Sequence, residues 1–361
     1  MTSIFVFSWY LLVYIVKLGY GSRIPPHYTI NLDLPPENRW DKVIDDHKKF
    51  LPAVIEEINY YVPKLLRPIA WWIDENILLE KFPDEYAQEM RGIAARSGLR
   101  IGEIVGMNVL YDISAFNRKD ILANVGCTSI VAEDHNGRII HGRNLDFDMT
   151  SLLRNMTIIA DFTQGGNILY TAVTFVLQVG LCTGQRHGSF SVSLNERFSG
   201  AYIDTILMEL YTQFKTPVTF TIRKIYTVLE EKNTFEEAKE LLMKERFVAP
   251  SYLIIAGTKA GEGCIITRDR WKTADLKCID AQNDRWFLVV TNFDYWKVGK
   301  DKRRRTAEKA LRLVDKQAIT DEKMLQILSI HPVENNLTIF STVMSPSDHR
   351  ALYQYTVIRE N

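Results

Sequence analysis

The spacing of apolar residues changes character near Ala123. Before it, Ile4 to Val16 is an apolar run of 13 residues interrupted by Ser8 alone, followed by Gly19-Tyr20-Gly21-Ser22. His27 to Trp40 begins as a short alternating strand and stops at Pro35-Pro36. Phe50 to Leu79 is strongly apolar, and Pro52, Pro63 and Pro68 divide it into short helices. Arg91 to Asp112 reads as helix, turn and helix around Gly98 and Gly102. After Ala123 the period falls from helical to alternating, with β-branched stretches at 127–131, 138–143, 155–162, 169–177 and 190–194. Further strands are predicted at 251–256, 264–267, 285–291 and 337–344. Thr234 opens a capping box for a helix running to about Glu245, Thr306 is read as the cap of an amphipathic helix, and another helix follows near Thr320. Strands flanked by helices on either side predict a layered α+β sandwich.

Two of those strands carry the candidate chemistry. Gly126-Cys127-Thr128 and Arg143-Asn144-Leu145-Asp146 flank Asn136-Gly137, which reads as a two-residue type I′ hairpin. Opposed residues in such a hairpin have numbers summing to 273, so Cys127 is expected opposite Asp146, with Cβ atoms roughly 5 Å apart. Alternation then sets Arg143 on the other face, unless the strand bulges near Gly142 or Asn144. A single cysteine is usually a small buried hydrophobe. Here Gly126 leaves the preceding peptide unhindered, and no histidine stands in a Cys-His or Ser-His-Asp frame. A nucleophile without a histidine needs another base, and a free α-amine, with a pKa of about 8, can serve once a nearby cation lowers it. That amine exists only if the chain is cut before Cys127, a cut the thiol can make by attacking the Gly126 carbonyl.

Composition narrows the setting. Lys+Arg and Asp+Glu balance at 44 each, which gives no sign of a nucleic-acid partner. The cysteines (Cys127, Cys182, Cys264, Cys278) show no CxxC or His/Cys ligand spacing, so no metal is expected. The first apolar run suits a signal peptide of residues 1–21 cleaved before Ser22, although it lacks a positive n-region and a buried N-terminal strand is the alternative. Two sequons, at Asn155 and Asn336, agree with secretory passage. The tryptophans Trp71 and Trp72 have two readings: core, or an exposed surface that docks onto a membrane or vesicle.

Cys127-Thr-Ser-Ile-Val-Ala-Glu-Asp with His141-Gly-Arg-Asn-Leu-Asp146 resembles the β-subunit start of acid ceramidase and of N-acylethanolamine-hydrolysing acid amidase. The likeness extends to Tyr28-Thr-Ile-Asn-Leu-Asp-Leu-Pro-Pro36, Leu194-Asn-Glu-Arg-Phe198, Gly261-Glu-Gly-Cys-Ile-Ile-Thr-Arg-Asp269 and Thr291-Asn-Phe-Asp-Tyr-Trp296. The resemblance implies a four-layer αββα N-terminal nucleophile hydrolase with a mainly helical N-terminal segment. It implies an α-subunit of residues 22–126 and a β-subunit of residues 127–361, associated as a heterodimer after self-cleavage at Gly126-Cys127.

By the same resemblance Cys127 is the nucleophile, Asp146 holds its α-amine and Arg143 stabilises nearby negative charge. Asn292 supplies the oxyanion amide, Glu196 takes part in self-cleavage, and Arg304 matches a further site arginine, with Arg303 and Arg305 as neighbours in an uncertain register. No cofactor is implied. The substrate is an N-acyl lipid, the location the lysosome, and a sphingolipid activator protein a candidate partner. YTINLDLPP, LNERF and GEGCIITRD lie closer to acid ceramidase, so ceramide is put first and N-acylethanolamines, or both, second; the ending Thr342-Val-Met-Ser345 favours the second. A non-enzymatic lipid-binding protein and an unrelated thiol hydrolase that needs no processing are the rival classes.

Overall fold

A computed structural model describes residues 22–62, 64–114, 126–197, 221–247, 249–297 and 301–360; the predicted signal peptide at 1–21 lies outside them. Two sheets lie face to face. The smaller has the order β1 (Ser22–Arg23), β14 (Val357–Arg359), β13 (Thr338–Met344), β4 (Ile139–Asp146), β3 (Thr128–Glu133) and β12 (Phe287–Val290). The larger runs β11 (Thr273–Cys278), β10 (Gly263–Arg268), β9 (Ser251–Ala256), β8 (Phe190–Glu196), β7 (Thr183–Arg186), β6 (Asn167–Phe175), β5 (Thr157–Gln164) and β2 (His27–Asn31). Pairing is antiparallel apart from β2 on β5, where the N-terminal segment joins the larger sheet as a parallel edge strand.

Alternation along the central strands separates the layers. Val131 and Ile139 meet Ile254, Ile265 and Leu288 between the sheets. Ile130, Ala132 and Ile140 point the other way, against Leu311, Met324 and Leu328 of the helices Lys302–Val314 and Asp321–Leu328. The outer face of the larger sheet is covered by Thr221–Glu231, Phe235–Lys244 and the N-terminal helices, whose Val43, Ile44, Met90 and Ile104 join Phe162, Tyr170 and Val192 in one core. Helix, sheet, sheet and helix make the expected αββα sandwich.

Helix boundaries follow their capping chemistry. Thr234 accepts from the Glu237 N–H and Thr320 from the Lys323 N–H, as expected for N-caps. Thr306 is not a cap. The helix starts four residues earlier at Lys302, because the Asp301 carboxylate accepts from the Arg304 N–H. The strand Thr273–Cys278 was not legible as one; it pairs antiparallel with β10, with a register shift between Thr267 and Arg268, and a disulfide joins Cys264 to Cys278. Pro52 and Pro68 sit in the first turns of Leu51–Tyr61 and Arg67–Ile73, as predicted, and Pro63 lies outside the described residues. Trp71 and Trp72, adjacent on the last of these, have opposite fates. Trp71 is buried in the core at 7% exposure, which removes it from any docking surface, and Trp72 is 57% exposed.

Candidate active site

The hairpin that carries Cys127 is offset by one residue from the expected register. Only Gly137 has positive φ, whereas a type I′ turn needs it at Asn136 too. The Asp134 carboxylate accepts from the N–H groups of Asn136 and Arg138, tightening a turn in which the Gly137 N–H bonds to the Asp134 carbonyl. Asp134 and Arg138 therefore close the loop, and pairs sum to 272: Ser129 faces Arg143 and Thr128 faces Asn144. Cys127 is not opposite Asp146. The shift moves every side chain of β4 to the other face relative to the expectation.

That correction changes which residue reaches the sulfur. Arg143 shares the inter-sheet face with Cys127 through a regular ladder, with no bulge in β3 or β4, and its Nη2 donates to Sγ at 3.5 Å. Its Nη1 donates to the Cys182 carbonyl at 3.1 Å, and the guanidinium is fully buried. Asp146 points to the helix side. There Asn335 Nδ2 donates to Oδ2 at 2.7 Å and Thr338 Oγ1 to Oδ1 at 2.8 Å, while Arg303 Nη1 stands 3.9 Å off.

Arg303 is the arginine of the basic run that enters the site. It donates to the carbonyls of Gly126 and Cys127, the latter at 2.8 Å, and to Asn292 Oδ1 at 3.0 Å. Arg304, the expected residue, gives its backbone N–H to the Asp301 cap. The helix register decides between them: Arg303 points inward with Ala307 and Leu311. Asn292 follows the last residue of β12 by two positions, and its Nδ2 donates to the Glu196 carbonyl at 3.0 Å, which ties the segment after β12 to the end of β8 beside Gly126. Gly126 has φ of 128°, and a Cβ there would overlap the Asn292 amide, so glycine is required on two counts.

The electrostatics follow from burial. Desolvation pushes the Cys127 thiol above its usual range, Arg143 opposes that, and the charges of Asp146 and Glu196 add to it. Burial also raises Asp146 to about 6, against the pull of Arg303, Thr338, Asn335 and Arg143. His141, two residues before Arg143, is no base. Burial holds it neutral, down to about 3, between the Ser191 and Ser193 hydroxyls. The arrangement thus sets a buried thiol beside a cation and, one bond upstream, a carbonyl that accepts from a second cation. That is the layout an acyl shift from nitrogen to sulfur requires.

Comparison with known proteins agrees with this geometry. Residues 127–315 match the linear amide C–N hydrolases of the choloylglycine hydrolase family, and residues 23–78 match the beta subunit of N-acylethanolamine-hydrolyzing acid amidase. The N-acylethanolamine-hydrolyzing acid amidase of Caenorhabditis elegans is 51% identical over 336 residues, 93% of each chain. The acid ceramidase of Homo sapiens is 38% identical over 342 residues, 88% of this chain and 83% of its own. The chain belongs to this amide hydrolase family. A solved structure of a Caenorhabditis elegans N-acylethanolamine-hydrolyzing acid amidase ortholog aligns with TM-score 0.60 and 49% identity, covering 64% of this chain and 99% of its own.

For a member of this family, Arg303, Asn335 and Thr338 were the site neighbours that sequence reasoning missed or left open. Arg303 was signalled by the apolar spacing to Ala307 and Leu311. The other two carry no local signal, because they reach Asp146 only through the pairing of β13 with β4. Of the two sequons, Asn336 is exposed on a turn, whereas Asn155 is half-buried, with its Nδ2 on the Ser151 carbonyl and its Oδ1 accepting from Arg23.

Proposed function

We propose that the protein is a self-activating N-acyl amide hydrolase that cuts its own chain between Gly126 and Cys127 and then cleaves fatty-acyl amides of small amino alcohols. The observation that carries this reading is the pair of arginines on Cys127: Arg143 on the sulfur and Arg303 on the carbonyls that flank the Gly126–Cys127 bond.

In self-cleavage the Cys127 sulfur attacks the Gly126 carbonyl carbon, with Arg303 drawing charge onto the oxygen. The bond to the Cys127 nitrogen breaks, that nitrogen takes the thiol proton, and a thioester joins Gly126 to Cys127. Water hydrolyses the thioester to a Gly126 carboxylate and a free thiol. The new α-amine accepts the thiol proton in turnover, Asp146 holds the resulting ammonium, and the sulfur attacks the acyl carbonyl of the substrate. Asn292 Nδ2 and a backbone N–H hold the oxyanion, a contact whose loss typically costs about 10²–10³ in rate. The amine product leaves with the proton, and water releases the fatty acid from the acyl-thioester. Glu196, whose carbonyl holds Asn292, orients the oxyanion amide.

Residues 22–126 and 127–361 are then two subunits that stay together. The β2–β5 pairing and the core shared by the N-terminal helices and the larger sheet support that. The 64% share of this chain spanned by the solved ortholog chain also suits residues 127–361, 235 of 361. The Cys264–Cys278 disulfide supports passage through the secretory pathway to the lysosome, with glycans on the sequons. Tyr60, Leu65, Leu66, Ile69 and Trp72 are exposed around Arg67–Ile73 and form the surface on which a lipid-bearing vesicle would be met.

N-acylethanolamines lead as substrate, in place of the ceramide that the local motifs favoured, because the 51% relative carries that name and the 38% relatives carry the other. Ceramide is the second reading, supported by identity over 88% of the chain, and with it comes an activator protein as partner. Hydrolysis of matched ceramide and N-acylethanolamine at acid pH separates them. A higher kcat/KM on the ethanolamide supports the first reading, and a higher one on ceramide replaces it with the second.

A further inference from the structure

The reaction above asks Asp146 to hold an amine and Arg303 to hold two carbonyls, yet the two groups stand close enough to collapse into a tight ion pair. What separates them is the turn that enters β13. The Asn335 side-chain oxygen accepts from the Leu337 N–H and the Thr338 N–H bonds to the Asn335 carbonyl, a tight Asx turn with Asn336 exposed at its tip. Immediately afterwards β13 slips by one residue against β4. Phe340 opposes Leu145, Thr338 opposes Asp146, and Ile339 is the extra residue between them. Without that bulge Ile339 would oppose Asp146 and the Thr338 hydroxyl would turn to the far face.

We propose that Asn335 and Thr338 are positioning residues, a two-donor clamp that holds the Asp146 carboxylate away from Arg303 and toward the site of the new α-amine. The inference rests on the self-cleavage reading and goes beyond it. Each carboxylate oxygen takes one neutral donor, at 2.7 and 2.8 Å, while Arg303 stays at 3.9 Å and keeps its hydrogens for Gly126, Cys127 and Asn292. Both donors favour the ionised carboxylate, as do Arg303 from its helix and Arg143 from β4; burial opposes all four. Lys302, from the same helix as Arg303, and His331, from the loop that carries Asn335, line the cleft that ends on Asn335. Losing a donor removes a bond that favours the ionised carboxylate: Asp146 then holds its proton to higher pH and, once neutral, no longer receives the amine that self-cleavage releases.

Thr338 also belongs to the Asn336 sequon, which the variants must separate from the clamp. Full-length protein carrying Thr338→Val, Thr338→Ser, Asn335→Ala or Asn336→Gln is followed for self-cleavage across pH, with folding checked by thermal melting. Thr338→Val and Asn335→Ala are expected to slow cleavage about tenfold or more, the usual worth of a hydrogen bond to a charged group, and to shift the acid limb to higher pH. Thr338→Ser restores both, and Asn336→Gln, which removes only the sequon, leaves both unchanged. A folded Thr338→Val that is cut at the parental rate with an unmoved profile overturns the clamp. If the parent itself is never cut, the self-cleavage reading fails, and the clamp is judged in uncut Cys127→Ala protein by carbon NMR titration of Asp146. There a higher pKa on adding Thr338→Val supports it and an unchanged pKa refutes it.

Discussion

The guanidinium of Arg143 donates to the sulfur of Cys127 across 3.5 Å, from a strand position whose ladder is unbroken. The pairing register brings the two side chains to the same face. In a fully buried pocket that cation is the main influence opposing desolvation of the thiolate.

Arg143→Leu should therefore lower kcat/KM by about 10²-fold or more, on the scale of losing a charge-assisted contact at a reacting atom. The pH limb that reports the thiol should move to higher pH, because the thiolate loses its counter-charge while burial remains. Arg143→Lys should recover part of the rate. Steady-state kinetics across pH checks this; an unmoved limb would separate Arg143 from the thiol.

Asp74 bears on stability instead. It is buried beside Trp71 and Gly106, and desolvation, with some repulsion from Glu75, raises it to about 7. Its folded pKa lies above the unfolded value of about 3.9, so the folded state binds the extra proton between them: stability from this group is fully present below about 3.9, falls as pH rises from there, and is lost once pH passes about 7. Asp74→Asn should raise Tm at pH 8 and leave it nearly unchanged at about pH 3, below the unfolded pKa, measured by thermal melting. An equal change at both pH values would mean the carboxyl is not desolvated.

The exposed apolar surface around Trp72 makes a separable prediction. Trp72 and Leu65 are 57% and 90% exposed, so Trp72→Asp and Leu65→Asp should lower activity on substrate in vesicles and spare a soluble short-chain amide. Trp71→Asp, by contrast, inserts a charge into the core and should lower Tm and both activities. Equal losses on vesicle and soluble substrate for Trp72→Asp would assign the surface no part in lipid capture.

Layer order and the capping of Phe235–Lys244 were legible because they depend on local period and local chemistry. The pairing of Cys127 with Asp146 was not. Asn136-Gly137 satisfies a two-residue turn by composition, but Asp134 makes two side-chain bonds across the loop and lengthens it by one residue. One residue of slip exchanged the faces of Arg143 and Asp146, so the aspartate that the simple register set opposite the thiol lies on the other side, and the arginine that needed a bulge reaches the sulfur without one. A bulge does exist, but in β13, where it aims Thr338 rather than Arg143. The choice of Arg303 over Arg304 was likewise a matter of helix phase, which the apolar spacing contains but the cap assigned to Thr306 obscured.

The central claim is that Cys127 becomes a free N-terminus by its own chemistry. Purified protein is brought to acid pH and followed on a reducing gel, with N-terminal sequencing of the products, alongside Cys127→Ala and Cys127→Ser. The account predicts a fragment of 235 residues beginning at Cys127 and a smaller one ending at Gly126, both absent in the alanine variant, with amidase activity appearing as the cut proceeds. A chain that remains whole while hydrolysing its substrate, or a Cys127→Ala chain cut at the same bond, would contradict it.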